Sequence, residues 1–188
     1  MPLPPPATGR TKLHTRRITC EGFLRDDGLW DVDGWITDIK EEPYSNFDRG
    51  EIPAGVPLHG MGLRITIDED YKIVDAVAVT DFSPYRICPD VTPAFKKLIG
   101  LSLTRGFKRS VREQLGGTHG CVHLVDLLGP MATTAMQTAA FKRNVALRAA
   151  GAKGATVKPP FFDTCHTWAS DSPVVKREFP ALYTGKDT

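Results

Sequence analysis

Little in this chain announces a known chemistry. It holds four cysteines and five histidines in 188 residues, and no two cysteines stand in a Cys-x-x-Cys spacing. It carries no phosphate-binding Gly-rich loop, no Gly-x-Gly-x-x-Gly after a strand, no His-Glu-x-x-His and no Gly-x-Ser-x-Gly. Nucleotide-binding loops, metalloprotease helices and serine-hydrolase elbows are therefore not its chemistry. Charge of one sign is lacking too. With 24 Lys+Arg against 22 Asp+Glu the formal net charge is +2, which recruits neither nucleic acid nor a membrane surface. No apolar run reaches the roughly 18 residues of a membrane-spanning helix. The Pro-rich start, Met1–Arg10, lacks the apolar segment of a secretory signal. These absences predict a cytoplasmic protein whose thiols stay reduced, with no nucleic-acid or membrane partner. They leave its oligomeric state open.

What is present is a change of period. Residues 12 to about 81 alternate as strands do, and the later residues repeat as helices do. Arg25-Asp26-Asp27-Gly28 reads as a hairpin turn between a strand over 12–24 and one over 29–40, the latter with Trp30, Val32 and Ile36 on one side. A loop is expected over 41–56. Residues 58–68 form the clearest strand, with Met61, Leu63, Ile65 and Ile67 on one face and His59 sharing their parity. Residues 73–79 return beside it. After Ser83-Pro84, a helix opens near Asp90 with Phe95, Leu98 and Ile99 on its apolar side. A second repeats Leu103, Phe107, Val111 and Leu115 up to Gly116-Gly117. A third runs over 122–149 and is expected to kink at Gly129-Pro130. Strands followed by helices predict an α+β fold, an antiparallel meander with helices packed on one face. The expected organisation is a disordered arm over 1–11, one α+β domain over 12–150 and an extended tail over 151–188.

The densest chemical signal is Gly120-Cys121-Val122-His123-Leu124 at the mouth of the third helix. Thiolate and neutral imidazole both bind zinc or iron, and a helix N-terminus favours a thiolate. His59 points inward at its strand's start, and Cys88 precedes a helix, so His59, Cys88, Cys121 and His123 are the candidate metal ligands. Each also has a plain packing role open to it. Cys20 reads as strand packing, His119 as a turn residue, and Cys165-His166 as a tail patch of undefined geometry. His14 and Arg16, in His14-Thr15-Arg16-Arg17, could bind a small carboxylate or phosphate, or simply face solvent.

Two resemblances follow from these segments. His14-Thr15-Arg16-Arg17, Arg25–Asp31, Pro57-Leu58-His59-Gly60-Met61 and Gly120–Leu124 together resemble an uncharacterised bacterial family, a domain of unknown function. That resemblance spans most of residues 12–140 and implies no activity. The order from His59 to Met136 also resembles iron–sulfur scaffold proteins of the NifU/IscU type. Lys72-Ile73-Val74-Asp75-Ala76 is similar to their second strand, while Cys88 and Cys121 match their second and third cysteines. His59 stands where their first cysteine would be. The aspartate after that first cysteine is replaced by Gly60, the histidine before the last cysteine by Gly120, and the glycine-cysteine-glycine loop is missing. This resemblance implies a NifU/IscU-like fold and, as an alternative cofactor, an iron–sulfur cluster.

Together these readings lead to a metal-binding protein with a His/Cys/Cys pocket for zinc or iron. An open coordination position would allow metal-dependent hydrolase or lyase chemistry on a small anionic compound. A second reading dispenses with metal: Cys121 is the nucleophile, with His123 or His59 as base, and His59 is favoured because a side chain two residues along a helix start points elsewhere. A third is a non-catalytic subunit that binds a partner.

Overall fold

Alternating side chains build the first half of the molecule, in a computed structural model that describes residues 3–104, 106–149, 158–159 and 162–185. Strands β1 (His14–Leu24) and β2 (Trp30–Lys40) form a hairpin. Its turn is closed by bonds from Arg25 N–H to the Leu29 carbonyl (2.9 Å) and from Gly28 N–H to the Arg25 carbonyl (3.1 Å). Gly28 sits at φ 88°, a left-handed value that glycine adopts without a Cβ penalty. The hairpin's centre fixes its register, setting Arg16 opposite Asp38 and Ile18 opposite Ile36.

Strand β2 pairs antiparallel with β5 (Pro57–Ile67), and β5 with β6 (Ile73–Phe82), so the sheet order is β1-β2-β5-β6. The segment expected as a loop between β2 and β5 instead carries a small second hairpin, β3 (Tyr44–Asn46) and β4 (Gly50–Ile52). Asn46 shapes its turn. The side-chain oxygen accepts from the N–H groups of Asp48 (3.1 Å) and Arg49 (2.9 Å), a local bond that hydrophobic periodicity does not report.

Helices cover one sheet face, so the architecture is the expected α+β. The core draws Val32 and Ile36 from β2, Met61, Leu63, Ile65 and Ile67 from β5, and Ile73 and Ala76 from β6. A run of 3₁₀ turns over Cys88–Leu98 buries Phe95 and Leu98. Ile99, expected on that apolar side, is 43% exposed because the backbone turns extended there (ψ 130°). Helix α1 (Phe107–Leu115) buries Phe107, Val111 and Leu115 and ends at Gly116. Leu103 is buried but lies before the helix.

Helix α2 (Val122–Ala149) continues through Pro130. Its residues Leu124, Leu127, Leu128 and Met131 are buried at the three- and four-residue spacing of one helix face. Met131 reaches the sheet at Gly34, where a Cβ would stand 2.5 Å from its sulfur. The missing side chain makes room for the Met131 side chain.

The chain splits into two compact units, residues 1–134 and 135–188, with the division inside α2. Of the proposed arm, residues 3–11 carry neither helix nor strand, while part of the proposed tail lies outside the described residues. The described part of that tail is not extended throughout. It holds a 3₁₀ turn (His166–Trp168), helix α3 (Pro173–Glu178) and a second 3₁₀ turn (Pro180–Leu182). Ser172 caps α3 by accepting from Val175 N–H at 3.1 Å. Rings of Phe162, Trp168 and Phe179 cluster beside it, with centroids 5.3–6.3 Å apart. All four cysteines are free, and among the described residues no helix is long and apolar enough to cross a membrane.

Candidate functional site

One carboxylate gathers most of the chain's unusual chemistry. Asp38 continues the inward parity of Trp30, Val32 and Ile36 along β2, and its residue is only 1% exposed. Register places it between Arg16 on β1 and His59 on β5, so three adjacent strands present these side chains in one row. Arg16 grips Asp38 with a fork: Nε donates to Oδ1 at 2.8 Å and Nη2 to Oδ2 at 2.9 Å. Its third nitrogen donates to Asp126 Oδ2 on α2 at 2.9 Å, which pins the start of α2 to β1. His14, one step along the same face of β1, places Nε2 3.0 Å from Asp38 Oδ1.

Two further imidazoles face the other oxygen. His59 Nδ1 stands 3.1 Å from Asp38 Oδ2, and His123 Nε2 stands 3.7 Å from the same atom. The two rings stack at a centroid separation of 3.8 Å and an angle of 30°. Despite its short approach, His59 Nδ1 lacks the alignment of a hydrogen bond and is a buried polar atom without a hydrogen-bond partner. Such an atom costs about 1–3 kcal/mol if nothing satisfies it. One donor atom from each of Asp38, His59 and His123 lies within 4.8 Å of the others.

The electrostatics suit a site of neutral imidazoles around a charged carboxylate. Burial alone would push the Asp38 carboxyl up. The Arg16 hydrogen bond and charge, followed by His14 and His59, outweigh it and hold Asp38 at about 2. Burial, and then the neighbouring His123, pull His59 down to about 4. His123 is also lowered, first by burial and then by the charge of Arg16. The Arg16 guanidinium is raised, chiefly by its bond to Asp38.

Of the expected metal ligands, the structure brings His59 and His123 together and leaves the two thiols out of the set. Cys88 opens the 3₁₀ run beyond β6, its N–H bonded to the Tyr85 carbonyl at 3.2 Å. Cys121 is nearer. Its sulfur lies 3.8 Å from His123 Nδ1 and 3.8 Å from the Met61 sulfur. Of the two imidazoles offered as its base, His123 is the one beside its sulfur. Cys121 precedes the first helical residue, and its carbonyl accepts from Val125 N–H at 2.9 Å. Its own backbone lies outside the helix, so the rule that helical residues two apart diverge does not govern it.

His14 and Arg16, expected to bind an anion, do bind one, but it is the protein's own Asp38. Asp38 itself was missed by the sequence reading. The alternation of β2, extended one step past Ile36, would have placed it inward. Arg64 lies on the opposite sheet face, forked onto Asp33 at 2.6 Å through both contacts.

A family model described as "Protein of unknown function (DUF2889)" matches residues 14–137, from the first residue of β1 into α2, and so covers every residue of this cluster. Neither the comparison with curated proteins nor that with solved structures gives a match, so the iron–sulfur scaffold resemblance gains no support from them.

Proposed function

Because the chain belongs to DUF2889, a family of unknown function, its activity has to be read from the site, and we infer that Asp38, His59 and His123 bind a single zinc or iron(II) ion. The carrying observation is His59 Nδ1: buried, without a hydrogen-bond partner, and 3.1 Å from a carboxylate oxygen that a second imidazole also approaches. A metal ion would satisfy that atom. Bonds of about 2.0–2.1 Å in a tetrahedral site separate donors by roughly 3.3 Å; the observed 3.1 and 3.7 Å bracket that value. Ligating imidazoles must be neutral, and burial keeps both of them so near neutral pH.

Two imidazoles and one carboxylate suit a lone zinc or non-haem iron(II) ion better than an iron–sulfur cluster, which is held by thiolates. Arg16 works against the cation by sharing its carboxylate, which sets the affinity below that of the same ligands without it. Three protein ligands leave a coordination position for water or substrate, and a bound ion there would supply Lewis-acid activation for hydrolase or lyase chemistry. The test is calorimetric titration of chelator-treated protein with zinc and with iron(II). One ion per chain is expected in the wild type, with binding lost in Asp38→Ala and His59→Ala. Absence of binding in the wild type, or full binding in both variants, would overturn the assignment.

A second reading has its own support. Cys121 Sγ, His123 Nδ1, His123 Nε2 and Asp38 Oδ2 follow one another at 3.8 and 3.7 Å across the ring, the order of nucleophile, base and orienting carboxylate. Iodoacetamide labelling of metal-free protein checks it. Cys121 should react several-fold more slowly in His123→Gln if the imidazole activates it, and at an unchanged rate if it does not.

A further inference from the structure

Strand β1 is an edge, and among the described residues no strand pairs along its outer side. Natural proteins blunt such edges with short strands, prolines, bulges, charged side chains or a covering segment; of these β1 has only charges, and Arg17 and Glu21 carry opposite signs on one face. Here the strand is eleven residues long, contains no proline, and holds an unbroken register against β2 from His14–Lys40 to Leu24–Trp30. Nine of its eleven residues are exposed, among them Ile18, Phe23 and Leu24.

The charges along this edge are unfinished. Glu21 stands directly opposite Asp33 on β2, a like-charge arrangement that is unfavourable on one sheet face. The adjacent cation, Arg64, is already forked onto Asp33. Arg17, on the same face as Glu21, stands opposite the uncharged Thr37. Among the described residues neither Arg17 nor Glu21 has an ion-pair partner.

These features complement themselves. Laid antiparallel about Thr19, two copies of β1 set Arg17 of each opposite Glu21 of the other, Thr15 opposite Phe23, and Thr19 opposite Thr19. A shift by two residues loses both ion pairs, and a shift by one would turn the second copy's covered face to the other side. We propose that the chain forms a two-fold dimer through β1, joining two four-stranded sheets into one of eight strands with reciprocal Arg17–Glu21 pairs at its centre. A second copy fits better than an unrelated peptide because the required cation and anion both lie on this strand at mirror positions. Such an isologous pairing closes on itself and leaves no free β1 edge. It also lays Gly22 of the second copy beside Arg16, so the joint borders the carboxylate cluster, although the dimer does not depend on metal binding there.

Sedimentation equilibrium of the full chain tests this pairing. The wild type should dimerise reversibly. Arg17→Glu and Glu21→Arg should each weaken the dimer about tenfold or more, since each replaces two attractions with two repulsions. The double variant Arg17→Glu/Glu21→Arg should recover wild-type association, because the pairs re-form with signs exchanged. Both positions are exposed, so far-ultraviolet circular dichroism and thermal melting should show all three variants folded. A strictly monomeric wild type, a dimer indifferent to the single reversals, or a double variant no better than the singles would each overturn the proposal.

Discussion

Replacing Arg16 with methionine should destabilise this protein far more than the loss of an ordinary surface arginine. The substitution keeps much of the aliphatic stem but removes the two hydrogen bonds into Asp38 and the one into Asp126. Asp38 is 1% exposed, so its carboxylate would keep its charge without its main partner. Breaking a buried pair in this way costs about 3–5 kcal/mol. Two facts reduce that figure here. The Arg16 side chain is 36% exposed, so solvent already screens part of the pair, and His14 retains its contact at 3.0 Å. A loss of about 2–3 kcal/mol follows, or a fall of roughly 5–10 °C in melting temperature for a chain of this size. Urea unfolding of metal-free protein at neutral pH measures it. The pH dependence gives a second check. Asp38 is held at about 2, below its ordinary 3.8, so its stabilising contribution is complete above the ordinary value and is lost as pH falls through about 2. The gap between wild type and Arg16→Met should therefore narrow over that window. Asp38→Asn in the same background should recover more than half of the loss, because the uncompensated charge is gone. A cost below about 1 kcal/mol for Arg16→Met would refute the reasoning, since it would mean that the carboxylate is solvated or held mainly by other groups.

Two further outcomes follow from the same geometry. His59 is lowered to about 4 from an ordinary 6.5 by burial and then by His123. The unfolded chain therefore binds a proton that the folded one refuses as pH falls from about 6.5 to 4. Metal-free protein should lose about 3 kcal/mol across that range, and His59→Phe should flatten the slope in urea titrations at a series of pH values. Gly34→Ala places a Cβ 2.5 Å from the Met131 sulfur and should cost about 1–3 kcal/mol by overpacking. A change under about 0.5 kcal/mol in the same unfolding assay would mean that the Met131 side chain repacks without strain.

Much of this arrangement can be read from the sequence, and what cannot has a physical cause. The Asp27-Gly28 turn fixes the β1–β2 register, so Arg16 opposite Asp38 follows from counting outward from the hairpin. The alternation that turns His59 inward was legible, and the same alternation carries Asp38 inward on β2. Asp38 lies within the strand expected over 29–40, but apolar alternation marks only its apolar members, and the arginine that neutralises Asp38 stands on another strand. Asp38 beside His59 depends on β2 pairing with β5 across the β3–β4 hairpin, a non-local registration that no local pattern records. Sequence adjacency also misled in the other direction. Cys88 and Cys121 carry the conspicuous ligand chemistry, yet Cys88 is placed by a segment beyond β6, and Cys121 faces Met61 and the far side of the His123 ring.

The proposed site holds its metal through oxygen and nitrogen, not through sulfur. X-ray absorption spectroscopy at the zinc edge on stoichiometrically loaded protein tests it most directly. The expected first shell contains only oxygen and nitrogen scatterers at about 2.0–2.1 Å, with outer-shell scattering from two imidazoles, and it is unchanged in the double variant Cys88→Ser/Cys121→Ser. A sulfur scatterer at about 2.3 Å that disappears in that variant would contradict the assignment of Asp38, His59 and His123 and return the site to the thiols.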